Sequence, residues 1–269
     1  MIDQNPDISR RKDTGRTQTN DTQFVAVAPL YDALMNGVPY ADWVTYLGKL
    51  LEQRSSRPRR ILDLACGTGN VSELLADAGY SVTGVDIAPG MIEAARLKGA
   101  SRAEPVEYLV QDAAVLDLPG KRFDLCVSFF DSLNYITDPV RLEMAIERIA
   151  AHLTHNGLFI FDINSEFALI NQFFDQNNLG SGDRLRYDWR SDYDAKTRLC
   201  RVRMRFWHRE EDGTDRAFEE IHWQFAYRTE EIIAMLEGAG FENIATYQAY
   251  SFRSPSRTAD RIFFVARKP

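Results

Sequence analysis

The run ILDLACGTGN at residues 61–70 limits what this chain can fold into more than any other stretch. An apolar segment holding one acid, Asp63, gives way to Gly67 and Gly69 around Thr68. It reads as a buried strand breaking into a glycine turn and then a helix, an arrangement that lets backbone close on a nucleotide-like ligand. Downstream, apolar strand-like runs (YSVTGVDI, VEYLVQD, FDLCVSFF, GLFIFDIN) are interspersed with amphipathic helical ones (NVSELLADAG, PGMIEAARLKG, DPVRLEMAIERIAAHL). That pattern predicts an α/β fold, a doubly wound and mostly parallel sheet with helices on both faces. Ligands of such sheets sit beyond the carboxyl ends of the strands. The informative positions are therefore the turn after Leu64, then Asp86, Asp112, and the segment Phe129, Phe130, Asp131.

Each position has a chemical reading. Gly67 and Gly69 remove Cβ atoms that would hold a ligand off the turn, and they reach backbone angles closed to other residues. Asp86, 17 residues after Gly69, stands where a carboxylate accepts both hydroxyls of a ribose. Asp112 is placed to accept from an exocyclic adenine amine. A dinucleotide would want glycine where Ser72 stands, and no carboxylate beside its pyrophosphate, yet Asp63 is there. An acid at that point suits a cationic ammonium group. Adenosine plus an amino-acid ammonium describes S-adenosylmethionine.

With these motifs the sequence resembles the class I S-adenosylmethionine-dependent methyltransferases. ILDLACGTGN is similar to their first motif, VTGVDIAPGMIEAAR to the second-strand motif, YLVQDAAVLDLP to the adenine-side motif and FDLCVSFFDSLNYI to the segment after the fourth strand. YDALMNGVPYADW, DSLNYI and LFIFDINS resemble a narrower branch related to glycine and amino-sugar N-methyltransferases. The resemblance implies a seven-stranded Rossmann-like sheet. It implies that Asp63 meets the methionine ammonium, Asp86 the ribose, and Asp112 with Ala113 the adenine. Tyr31 and Tyr40 would come from N-terminal helices to cover the cofactor as a lid. Ala65, Thr68, Ile87, Met91 and Phe129 fall within the same motifs and are expected at the cofactor. Ala65 stands where the family often has glycine.

Residues 1–22 have almost no apolar side chains and are expected to be a disordered tail. FVAVAPLYDALM and ADWVTYLGKLLEQR carry helical spacing about the turn NGVPY. The expected core is 23–180 with 229–269. Between them, 181–228 is expected to be an antiparallel β insertion over the site. Its two alternating segments flank Asp212-Gly213, a two-residue hairpin signal. A turn there would place Val202 opposite Trp223, Met204 opposite Ile221 and Cys200 opposite Phe225. On the other face Arg205 would meet Glu220, Arg203 His222 and Arg201 Gln224. Thr229 is the expected N-cap of the following helix, and FENIATYQAYSF and DRIFFVARK read as final strands.

Methyl transfer from a sulfonium is an in-line displacement, so positioning supplies much of it, and a protonated amine or a hydroxyl also needs a base. Candidate catalytic residues are His222 and Asp131, with Tyr135 and Tyr31 as orienting hydroxyls. No metal spacing is evident among the four histidines. A net charge of −7 gives no overall pull toward nucleic acid. Three cysteines, an odd number with two in apolar strand-like contexts, suggest a reducing, cytoplasmic setting, and no apolar run spans a bilayer. The expectation is a small-molecule methyltransferase acting at nitrogen. An RNA or protein methyltransferase, or a regulator that binds S-adenosylmethionine without turnover, stays open.

Overall fold

In the computed structural model, residues 23–269 are described, so the expected disorder of 1–22 lies outside the described residues. A single 3-10 turn at Ala28–Leu30 leads into α1 (Tyr31–Leu34) and then α2 (Tyr40–Gln53). The alternating stretch follows as β1 (Arg60–Leu64), α3 (Asn70–Asp77), β2 (Ser81–Asp86), α4 (Pro89–Gly99), β3 (Glu107–Val110), β4 (Phe123–Ser128), α5 (Pro139–His152) and β5 (Leu153–Asn164). Next come α6 (Glu166–Ile170), β6 (Gln176–Asn177), β7 (Leu185–Asp194), β8 (Leu199–Arg209) and β9 (Asp215–Phe225). The chain ends with α7 (Thr229–Gly238), β10 (Glu242–Gln248) and β11 (Arg261–Arg267).

Seven strands form the main sheet in the order β10-β11-β5-β4-β1-β2-β3. β1 to β5 run parallel, and β11 lies antiparallel between β5 and β10. The parallel strands read as nearly unbroken apolar runs because helices cover both faces. On one face Leu62, Leu64, Phe159 and Phe161 pack against Ile146 and Ile149 of α5 and Leu236 of α7. On the other, Ile61, Val127 and Ile160 pack against Leu47 and Leu50 of α2, Leu75 of α3 and Ile92 of α4. α2 is therefore a layer of the sheet domain, and only its first turn and the segment before it reach over the strand ends. The amphipathic run at 24–34 is helical only in its second half; the backbone amides before Ala28 are held by a side chain, as described below.

The second sheet has the order β6-β7-β8-β9. Its β8–β9 register differs by one residue from the sequence expectation. The loop holds three residues, 211–213: Glu210 N–H donates to Thr214 O (2.8 Å), Gly213 N–H donates to Glu210 O (3.1 Å), and Gly213 has φ +87°. A tight turn closed by a left-handed glycine is the favoured three-residue hairpin, and it displaces the expected two-residue turn. Val202 now faces His222, Met204 faces Glu220 and Cys200 faces Gln224, while Arg201, Arg203 and Arg205 face Trp223, Ile221 and Glu219. A slip of one residue exchanges the faces of a strand. Glu220, His222 and Gln224 thereby join the buried side with Val202 and Met204. Of these arginines Arg205 pairs with Asp188, which also holds Arg190, and elsewhere on the sheet Arg186 and Arg209 pair with Asp215.

α7 begins one residue earlier than expected, with Arg228 at the N-cap and Thr229 as its first helical residue; Glu231 accepts from Arg228 N–H at 2.9 Å. Among the described residues no helix is long and apolar enough to cross a membrane.

Candidate active site

A cavity of about 670 Å³ opens over the carboxyl ends of β1, β2 and β4 and is walled on its far side by Trp189, Met204, Phe206 and His222 of the second sheet. It brings together Tyr31, Tyr40, Asp63, Ala65, Gly67, Thr68, Asp86, Ile87, Met91, Asp112, Ala113, Phe129, Asp131, Tyr135 and His222. Gly69 alone of the candidate residues does not line it.

The glycine turn explains that difference. Ala65, Gly67 and Gly69 all have positive φ, at 56°, 55° and 78°. Gly67 N–H donates to Asp86 Oδ2 at 2.9 Å, and a Cβ added at Gly67 would enter open space. A Cβ at Gly69 would lie 2.4 Å from Tyr108 Oη. Gly69 is there for the close approach of Tyr108, whose hydroxyl donates to Glu73 Oε1 at 2.7 Å. Ala65, in a conformation that favours glycine, stores about 1 kcal/mol of strain.

Asp63 is buried on β1 and accepts from Ser72 Oγ at 2.5 Å. Burial pushes its carboxyl up to about 7; the Ser72 hydrogen bonds oppose the rise and nearby Asp86 adds to it. Asp86 is held by backbone, with Oδ2 on Gly67 N–H and Oδ1 on Ala88 N–H (2.8 Å), so each oxygen keeps accepting capacity toward the cavity. Burial raises its carboxyl too, against those hydrogen bonds. Asp112 caps the turn after β3 by accepting from Ala114 N–H at 2.8 Å and pairs with Arg141, a cavity-lining residue of α5 that the sequence reading did not single out.

The cover over the glycine turn comes from α1. Asp32 accepts from Thr68 Oγ1 (2.6 Å) and Asn70 Nδ2 (3.0 Å) and pairs with Lys98 Nζ (2.8 Å). Asp32 also escaped the sequence reading. Tyr31 turns into the cavity. Burial raises its hydroxyl well above the ordinary range, and Tyr40, Tyr135, Asp131 and Asp86 add to the rise.

After β4 the chain turns through two consecutive left-handed residues, Phe130 (φ 68°) and Asp131 (φ 52°). Their amides donate to the two oxygens of Asp162 on β5, at 2.8 and 2.9 Å. Asp131 is itself fixed by both oxygens, Oδ1 by Arg261 Nη2 and Oδ2 by Gln224 Nε2, each at 2.6 Å. Arg261 also pairs with Asp162. Burial pushes Asp131 up, Arg261 opposes that and Asp162 adds to it. So engaged, Asp131 ties the turn after β4 to β9 and β11.

His222 is fully buried. Its Nε2 lies 2.7 Å from Glu220 Oε2 and its Nδ1 3.4 Å from Tyr135 Oη. The Phe24 ring packs edge-on against the imidazole, with centroids 4.4 Å apart. No grouping of His, Cys, Asp and Glu that could hold a metal occurs among the described residues.

Residues 61–157 match the family described as methyltransferase domain. A relative from Geobacillus sp. (strain WCH70), whose name places it among the methyltransferases, is 31% identical over 247 residues, 91% of this chain and 99% of its own. An S-adenosylmethionine-dependent methyltransferase from Clostridium acetobutylicum ATCC 824 superposes with a TM-score of 0.79 at 28% identity, over 90% of this chain and 98% of that one. The chain belongs to the S-adenosylmethionine-dependent methyltransferases. The methyltransferase CalS10 of Micromonospora echinaspora, an amino pentose methyltransferase solved with S-adenosylmethionine bound, shares the fold, with a TM-score of 0.72 at 23% identity over 89% and 97% of the two chains. The residues of this methyltransferase fit the cofactor. The Gly67 cradle is open where a side chain would fill it, and the Asp86 oxygens retain lone pairs beside it.

Proposed function

We infer that this methyltransferase acts on a small amine. The observation that carries the reading is the acid of the cavity wall: with Asp63 and Asp86 given to the cofactor, Arg141 paired with Asp112 and Arg261 with Asp131, the wall still holds Asp138 and Asp260 as excess carboxyl groups. A low-dielectric cleft lined mainly by one sign of charge concentrates ligands of the other. The second sheet supports a small acceptor, because Trp189, Met204 and Phe206 wall the cavity where a macromolecule would have to enter.

S-adenosylmethionine supplies, when bound, a methyl group on a sulfonium centre. The chain's own residues hold and shape the site: Asp63 takes the methionine ammonium, Asp86 the ribose hydroxyls, and Asp112 with Ala113 the adenine edge. Phe24, Tyr31 and Tyr40 exclude water from the reacting end. An amine protonated at neutral pH must lose a proton before its lone pair can attack. Tyr135 and His222 take that proton, while Asp131, clamped by Arg261 and Gln224, keeps the turn carrying Tyr135 in place.

A panel of small amines, hydroxylated amines, phenols, carboxylates and bulk tRNA, assayed for S-adenosylhomocysteine release, tests this. Turnover should be confined to amines, and His222→Ala should lower kcat by roughly 10²- to 10⁴-fold. Turnover of hydroxyl or macromolecular acceptors alone would overturn it.

A further inference from the structure

Glu220 lies at 6% exposure on the inner face of the second sheet. Its carboxylate has room for about four hydrogen bonds and makes four. Oε1 accepts from Ala26 N–H (2.6 Å) and Val27 N–H (3.0 Å). Oε2 accepts from Phe24 N–H (3.1 Å) and bonds His222 Nε2 (2.7 Å). Three of these partners are backbone amides that no helix satisfies, and the fourth is the imidazole that reaches Tyr135 from its other side.

We propose that Glu220 is a positioning residue for methyl transfer: it fixes His222 as the Nε2–H tautomer, leaving Nδ1 to accept from Tyr135, and it seats residues 24–27 over that pair. The inference rests on the reading of His222 as the proton acceptor. A saturated, ionised carboxylate only accepts, so the ring nitrogen facing it must carry hydrogen. Although burial pushes the Glu220 carboxyl up, the His222 hydrogen bond and the amides of Val27 and Ala26 hold it below the ordinary range. The amine gives its proton to Tyr135 Oη as Tyr135 gives its own to Nδ1. The resulting imidazolium lies against a carboxylate already in place. Because the same oxygens hold the backbone on either side of Val25, Phe24 covers the imidazole when that segment is seated, which couples proton removal to closure.

The wild-type protein alone gives a first test. The ¹⁵N spectrum of His222 at a pH where it is neutral should show the Nε2–H tautomer, and an Nδ1–H tautomer would overturn the proposal. In Glu220→Gln, kcat should fall roughly 10- to 1,000-fold with the KM for S-adenosylmethionine within about twofold. The His222 tautomer should become mixed and the amides of Ala26 and Val27 should exchange faster. Glu220→Asp should recover part of the rate. Unchanged kcat and tautomer in Glu220→Gln, with His222→Ala inactive, would sink the positioning role and spare the base. A fully active His222→Ala would remove the base, and with it the role of Glu220.

Discussion

A methyl group added at Gly69 would sit 2.4 Å from the Tyr108 hydroxyl at a φ of +78°, whereas one added at Gly67 meets no atom within 4 Å. The two glycines of one motif therefore predict opposite phenotypes. Gly69→Ala should lose roughly 1–3 kcal/mol of stability in urea titration, from backbone strain and overpacking together. Gly67→Ala should lose about 1 kcal/mol or less of stability but bind S-adenosylmethionine much more weakly, because its methyl occupies the cradle. Equal stability losses with unchanged binding would refute the distinction. Asp63 yields a pH prediction. Its folded carboxyl titrates at about 7 against 3.8 unfolded, so between those values the native state holds a proton the unfolded chain has released. Stability from this group is full below about 4, falls as pH rises through that window, and is lost above about 7. A cationic ammonium beside Asp63 favours the carboxylate, so cofactor binding at pH 6 should expel a proton and tighten as pH rises to about 7. Calorimetry in two buffers of different ionisation enthalpy measures the proton count, and a count of zero rejects the pairing.

α1 is only four residues long, and its apolar side chains, Tyr31 and Leu34, are only partly buried against the cluster that holds Val27, Ala88 and Met91. Its polar hold on the domain is Asp32, which reaches Thr68 and Asn70 at the start of α3 and Lys98 at the end of α4. With Asp32 half-exposed, those contacts contribute about 0.5–1.5 kcal/mol. Asp32→Ala should thus leave the thermal midpoint nearly unchanged and weaken cofactor affinity by roughly 2- to 10-fold, measured by equilibrium titration. A large fall in the midpoint with affinity intact would show that α1 supports the fold and not the site. The second sheet shows where local reading stops. The β8 and β9 patterns are plain in the sequence, but which face each residue takes depends on one left-handed glycine, Gly213, and on whether the loop holds two residues or three. Glu220, His222 and Gln224 were thus legible as strand residues and illegible as buried ones.

Across the whole molecule, the carboxylates at successive strand ends were readable because each belongs to a short motif whose turn fixes its place: Asp63, Asp86 and Asp112 all line one cavity. The mostly parallel direction of the strands was readable from the alternation of strand and helix patterns. What could not be read are groups joined over long separations. Arg261 meets Asp131 across 130 residues, and neither neighbourhood carries a pattern naming the other. The seating of the N-terminal segment is longer still, since Phe24 reaches Glu220 across 196 residues. That distance has a meaning in time. At about 5–20 residues per second the ribosome needs roughly 10–40 s to make the intervening chain, during which the first elements wait without their partner. The cover is thus seated late: a chain stopped before β9 has made β1 to β5 and the wall strands β7 and β8, but lacks Glu220 and His222, and the β10 and β11 that complete the main sheet are made later still. Refolding from denaturant should show the same order, with far-UV circular dichroism recovering before methyl-transfer activity, and simultaneous recovery would contradict it. A cover that is seated only after β9 is made leaves an unfinished chain unable to close over its cofactor.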